Sequence, residues 1–298
     1  VRTTQRILLL LVFGVLVGLG FAWYFAERIT VPIGKLTKGA TILAQGDFST
    51  RVDVETKDEV GMLAETFNKM AKDLQASTQA MLYKERVAKE LEMASRIQRQ
   101  ILPTSVPRIE GLDVAACVIP AAEIGGDCYD FLRVDDDTHL FYISDVTGHG
   151  VPSGIVVSIA NAIIYSYAHE PNLKDILINT NNVLKEKTAQ NMFMTMLILR
   201  YRSGVLDYVS AGHPEMLHYI GSESKVVAEK GGGIALGMVP DISKMVNEST
   251  ISFNSGDCVI LYSDGIPEAN SPTGEQYGAE RLKASLTLHS TKKTAEEI

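Results

Sequence analysis

The stretch HLFYISDVTGHG, His139 to Gly150, runs apolar up to one carboxylate, Asp145, and then breaks into a glycine-flanked turn. A short apolar run bounded by turn residues predicts a strand over His139–Val146 with Asp145 at its end. The pattern occurs twice more: GGDCYDF (Gly125 to Phe131) carries Asp127, and ILYSDGIPEA (Ile260 to Ala269) carries Asp264. A carboxylate at the end of a buried strand is held rigidly, and a neighbouring glycine lets a ligand approach the backbone. One such site is most often just a turn. Three converging carboxylates would repel one another strongly unless a cation lay between them. Ligation by oxygen alone is hard-cation chemistry: Mg²⁺, Mn²⁺ or Ca²⁺.

Around these sites, β-type runs are predicted at Leu112–Ile119, Met192–Tyr201, Val205–Ser210 and Cys258–Ser263, with helices at Gly154–Ala168 and Leu173–Lys187. Strands with a few intercalated helices predict an α+β sandwich. The 298 residues are 46% hydrophobic and 21% charged, which excludes wholesale disorder and collagen-like structure. The net charge is −8, divided as +3 over residues 1–110 and −11 over residues 111–298. An acidic C-terminal domain argues against a nucleic-acid partner. Cys117, Cys128 and Cys258 are odd in number and widely spaced. They form no disulfide framework and are expected as buried, reduced thiols.

The N-terminal part has different physics. Ile7 to Ala26 is a stretch of 20 uncharged residues, with Trp23 and Tyr24 near its end and Glu27 and Arg28 closing it. At about 1.5 Å per residue it matches a bilayer core. It is too long for a signal-peptide core and no cleavage site follows. Arg28, Lys35, Lys38 and Arg51 outweigh Arg2 and Arg6, placing the C-terminal side in the cytoplasm; the expected location is the cell inner membrane. The first residue is Val rather than Met, so a missing upstream piece is expected. Beyond the membrane, Ile33, Leu36, Ala40 and Leu43 form one short heptad run. Val60, Leu63, Phe67, Met70 and Leu74 form another, with Gly46-Asp47-Phe48 between them. Neither is long enough to be stable alone, and dimerisation into a four-helix bundle is the expected solution. Residues 76–102 remain helical by pattern, with a slipped seam at Val87, Leu91, Ala94, Gln98 and Ile101.

Pro32, the GDF connector and Asp58-Glu59-Val60-Gly61 make this region resemble a HAMP domain, a signal relay of bacterial receptors. Six ordered blocks follow: IQRQILP (Ile97 to Pro103), Pro120 to Phe131, SDVTGHG (Ser144 to Gly150), MFMT (Met192 to Thr195), SAGHP (Ser210 to Pro214) and YSDGIPEA (Tyr262 to Ala269). Together they resemble the PPM-type metal-dependent serine/threonine phosphatases, in the SpoIIE and RsbU branch.

The resemblance implies an αββα sandwich preceded by a transmembrane helix (1–27), a HAMP bundle (28–78) and a helical signalling linker (79–108). The phosphatase domain would occupy 109–298. It implies two Mn²⁺ or Mg²⁺ ions held by Asp127, Asp145, the Val146 carbonyl and Asp264, with Asp145 bridging. Asp130, His149 and His213 would orient that site. A metal-activated water would attack the phosphoryl group, with no protein nucleophile. The expected substrate is a phosphorylated STAS-type anti-anti-sigma protein, and the expected assembly is a homodimer through HAMP and linker. Members of the family carry a further aspartate in a D-D-x-T block. None follows Asp264, and Ala295–Ile298 reads as a helix, so truncation at the C-terminus is expected. Two other functions compete: a catalytically degenerate receptor that only binds its partner, and a diguanylate cyclase. GGD after a HAMP invites the second, but Cys128 and Tyr129 replace the expected E and F.

Overall fold

The computed structural model describes residues 2–54, 56, 58–119, 124–189, 191–290 and 294–298. Residues 120–123, which open the second of the six blocks, lie outside the described residues. The chain divides into two compact units, 1–89 and 90–298.

In the first unit α1 (Arg2–Phe25) passes through a π-helical turn (Ala26–Thr30) into α2 (Val31–Ala44) without a break. Pro32 sits in the first turn of α2, where a missing N–H is tolerated. The apolar helix is exposed along its hydrophobic window, with a mean hydropathy of 2.4, and is long enough to cross a bilayer. Gly46, at φ +93°, closes α2 as only glycine does comfortably. The connector then returns along α3 (Glu59–Arg99), a helix of 41 residues. Asn68 clamps it: its amide donates to the Val52 carbonyl at 2.9 Å and its oxygen accepts the Val52 N–H at 2.8 Å. Gly61 is required where it stands, because a Cβ there would lie 1.9 Å from the Thr56 carbonyl oxygen. Asp58 accepts the N–H groups of Val60 and Gly61 and so caps α3.

The heptad residues part company here. Leu36, Leu43 and Phe67 are buried in a core with Val52, Ala64 and Ala71, whereas Ile33, Leu63, Met70 and Leu74 are exposed. α3 is helical through residues 79–99, within the stretch expected as a helical linker at 79–108.

The second unit has four layers. The strands β1 (Cys128–Arg133), β2 (Thr138–Val146), β3 (Met194–Arg202), β4 (Val205–Ala211) and β7 (Glu248–Ser252) form an antiparallel sheet in the order β1-β2-β3-β4-β7. A smaller antiparallel sheet, β6-β5-β8, contains β5 (Met216–Ile220), β6 (Lys225–Glu229) and β8 (Cys258–Ile260). Alternation along the strands assigns the faces. Leu140, Met196, Ile198 and Val209 pack with helices α4 (Val151–Ser166) and α5 (Leu173–Lys187). Leu197, Leu199, Leu206 and Tyr208 point the other way, toward Met216 and Val259 of the smaller sheet. Leu217 and Tyr219 turn outward again to Leu286 on α6 (Ala279–His289). The order is therefore helices, sheet, sheet, helix.

Several sequence expectations are corrected. Leu112–Ile119 forms no strand; an isolated bridge between Ile109 and Leu112 is its only β pairing among the described residues. Cys258–Ser263 shortens to Cys258–Ile260. Residues 294–298 form a turn, not a helix, closed by the Glu297 and Ile298 N–H groups on the Thr294 carbonyl. All three cysteines are free, but Cys117 is exposed, Cys258 is half-buried and only Cys128 is buried. Cys117 lies in the run that joins no sheet, and so gains no layer to cover it.

Candidate metal centre

The β1–β2 register pairs Cys128 with Ser144, which brings Asp127, just before β1, beside Asp145 near the end of β2. The turn between Gly125 and Asp127 is fitted tightly to β2. The Val146 N–H donates to the Gly126 carbonyl at 3.2 Å. A Cβ on Gly126 would stand 2.5 Å from the Val146 carbonyl oxygen and 3.1 Å from a carboxylate oxygen of Asp145. Glycine at 126 thus leaves open the space onto which a carbonyl and a carboxylate both border. Asp264 comes from the other sheet, four residues beyond β8, in a turn where its carbonyl accepts the Glu268 N–H.

The electrostatics show that the three carboxylates feel each other. Burial, then the charges of Asp127 and Asp264, push Asp145 up to about 6. Burial also raises Asp127, opposed by a hydrogen bond from Ser263 and assisted by Asp264. One Asp127 oxygen, Oδ1, is buried with no hydrogen-bond partner among the described residues. An orphaned carboxylate oxygen, a backbone carbonyl and further carboxylates are an all-oxygen donor set, which fits a hard divalent cation. Among the described residues, no three His, Cys, Asp or Glu side chains stand together so as to hold a metal ion by themselves. The Val146 carbonyl, a main-chain donor, falls outside any such set of side chains.

The other expected residues are placed differently. Asp130 shares the β1 face of Cys128 and Leu132, the face covered by α4, whereas Asp145 shares its face with Phe141 and Ile143 between the sheets. The Asn161 amide of α4 donates to Asp130 at 3.1 Å and to the Tyr142 hydroxyl at 2.7 Å. Asp130 therefore anchors β1 to α4. His149 is exposed in the turn between Gly148 and Gly150, both at positive φ. His213 is buried, and its Nδ1 lies 2.9 Å from the Thr195 hydroxyl. Ser263 and Gln98 are contacts that sequence reading did not assign to the site. The Gln98 amide, in the last turn of α3, donates to the Gly125 carbonyl at 2.7 Å. Its position in IQRQILP, one of the six blocks, was the available signal.

A family model described as Stage II sporulation protein E (SpoIIE) matches residues 135–298, more than half of the chain. The chain belongs to the SpoIIE family. A HAMP domain model matches residues 24–76, ahead of the SpoIIE region. Protein IcfG of Synechocystis is 28% identical over 321 residues, covering 96% of this chain and 50% of that protein. Phosphoserine phosphatase RsbU of Bacillus subtilis is 29% identical over 194 residues, covering 63% of this chain and 56% of that protein. The chain spans about half the length of these curated relatives. Among solved structures, the SiaA-PP2C domain of Pseudomonas aeruginosa aligns with a TM-score of 0.60 at 22% identity, covering 72% of this chain and 87% of that one. That likeness bears on the fold alone.

Proposed function

We propose that the protein is a membrane-tethered, signal-regulated protein serine/threonine phosphatase dependent on Mn²⁺ or Mg²⁺. The observation that carries this reading is the β1–β2 register that sets Asp127 beside Asp145, with the Asp145 carboxylate and the Val146 carbonyl both bordering Gly126 and the Asp264 charge acting on both aspartates. Those four residues would hold the ions, with Asp145 central because both other carboxylates act on it. Bound divalent cations supply an acidified water and charge neutralisation for a phosphoryl group. The chain's own part is positional. Gly126 keeps the approach clear, Ser263 orients Asp127, and the strand ends hold Asp145 and Asp127 in register. The buried Cys128 thiol, pushed up to about 12 by burial, is unsuited to act as a nucleophile.

The likeness to phosphoserine phosphatase RsbU supports phosphoserine as the substrate group. A phosphorylated STAS-type anti-anti-sigma protein is the proposed partner. The apolar helix ahead of the HAMP match supports a membrane anchor, with the remaining chain cytoplasmic. Regulation would pass along α3, whose last turn carries Gln98 onto the Gly125 carbonyl. A homodimer through the exposed Ile33, Leu63, Met70 and Leu74 would set the state of that helix.

The test is phosphate release from a phosphoserine-bearing STAS protein, with Mn²⁺ and after chelation. Release that requires the metal supports the proposal. The degenerate-receptor alternative draws on the lack of such a group of three side chains among the described residues. It predicts partner binding with no release at any Mn²⁺ concentration.

A further inference from the structure

The proposed metal centre draws carboxylates from two sheets. Asp127 and Asp145 belong to the larger sheet, and Asp264 follows the last strand of the smaller one. Something must fix the gap between the sheets at this end, since cation affinity depends on ligand spacing.

His213 stands in that gap. It lies in the segment that leaves β4 of the larger sheet and enters β5 of the smaller one. Its ring is 2.9 Å from the Thr195 hydroxyl, and Thr195 is the direct register partner of Asp145. The same hydroxyl reaches the Asp145 carbonyl at 3.4 Å. On its other side the ring's Nε2 is buried without a hydrogen-bond partner among the described residues, and the Tyr262 main chain, two residues before Asp264, is near enough to act on it. The Tyr262 side chain is buried with Leu217, Tyr219 and Leu286, so this stretch is anchored to the smaller sheet and α6.

The histidine is itself held from behind. Its N–H donates to the Ser210 hydroxyl at 3.3 Å. Gly212, at φ +71°, donates to the Gly232 carbonyl at 2.8 Å. The run Gly231–Gly233 packs so closely that a Cβ on Gly231 would lie 2.9 Å from the Ser210 hydroxyl. A Cβ on Gly233 would lie 2.7 Å from the Ser210 carbonyl. Glycines at 231 and 233 are explained by the need to press the backbone against the His213 turn, whereas a Cβ at Gly232 would meet open space.

We propose that Thr195 and His213 form a strut across the gap between the sheets, setting the separation of Asp264 from Asp145 and thereby the affinity of the centre for divalent cations. They are positioning residues and touch no reacting atom. The strut rests on the metal-centre reading above.

The test is Mn²⁺ titration of the full chain, followed by electron paramagnetic resonance of the free ion, well below each variant's unfolding temperature. Removing a partner that positions metal ligands costs roughly tenfold or more in affinity. Thr195→Val keeps the shape and removes the hydroxyl, so it should weaken Mn²⁺ binding by about that factor. His213→Ala should do so at least as strongly, and Thr195→Ser should restore wild-type binding. Ile176→Val, in the α5 core, gives a destabilised control with unchanged affinity. Folded Thr195→Val and His213→Ala that bind Mn²⁺ like the wild type would overturn the strut, while Asp145→Asn in the same titration still loses binding. If Asp145→Asn also binds normally, the metal-centre reading fails and the strut with it.

Discussion

Gly126 and Val146 touch main chain to main chain: the Val146 N–H donates to the Gly126 carbonyl, and a Cβ on Gly126 would overlap the Val146 carbonyl oxygen at 2.5 Å. This contact decides which face of the turn is open to a ligand. Gly126→Ala must push the turn away from β2. The expected result is a loss of stability of about 1–3 kcal/mol, as for other overpacked sites. It should come with much weaker Mn²⁺ binding. A folded Gly126→Ala with normal Mn²⁺ affinity would show that the Val146 carbonyl takes no part.

Gln98 is the residue through which α3 reaches the same turn, donating to the Gly125 carbonyl at 2.7 Å. It packs beside Gly154, where an added Cβ would stand 2.8 Å from Ile124 and 3.5 Å from the Gln98 amide. Gln98→Ala removes one hydrogen bond, worth about 1 kcal/mol. The domain should remain folded by circular dichroism, but phosphatase activity should fall and no longer respond to changes in α3. Activity and response both equal to wild type would remove Gln98 from the relay.

Phe67 is buried against Leu36, Leu43 and Val52, in a core separate from that of the second unit. Phe67→Asp would bury a carboxylate without a partner, a penalty of several kcal/mol. Differential scanning calorimetry should show the transition of the first unit lost or strongly lowered, with that of residues 90–298 unchanged. A single transition, lowered as a whole, would mean that the two units do not unfold independently, and one left unaltered would mean that Phe67 is no part of a core.

His213 gives a pH dependence with a defined sign. Burial pushes its imidazolium down to about 4, below the ordinary value of 6.5. The unfolded chain therefore binds a proton at this residue that the folded chain does not, between those two values. Stability from this group is complete above pH 6.5 and is lost as pH falls toward 4. Asp145, raised to about 6, acts in the opposite sense, so total stability is a poor readout. The comparison to make is wild type against His213→Asn by urea unfolding at pH 7 and pH 5. The gap between them should narrow by about 2 kcal/mol at pH 5. An equal gap at both values would mean that His213 is protonated in the folded domain.

The candidate site was more legible in the sequence than the framework that carries it. Asp145 and Asp264 were legible because each follows an apolar run into a glycine turn, and Asp127 because it stands between a glycine pair and the run that becomes β1, all local signals. β5, β6 and β7 were not, because five-residue strands such as Lys225–Glu229 carry too short an alternation to register. Leu112–Ile119 has the composition of a strand and no strand partner among the described residues, since pairing is a tertiary property. The heptads of the first unit were visible. Their division into buried Leu36, Leu43 and Phe67 and exposed Leu63, Met70 and Leu74 depended on where the connector lies. Asp130 stands three residues from Asp127 in GGDCYDF, and only the β1 pleat shows that it faces Asn161 on α4.

The central claim is that Asp145 binds the metal on which phosphoserine hydrolysis depends. The most direct measurement is the Mn²⁺ dependence of phosphate release by Asp145→Asn beside the wild type, with circular dichroism of both. The substitution keeps the volume and removes the charge that both Asp127 and Asp264 act on. The account predicts an unchanged fold and activity that saturating Mn²⁺ does not recover. Wild-type turnover by Asp145→Asn at ordinary Mn²⁺ would contradict it.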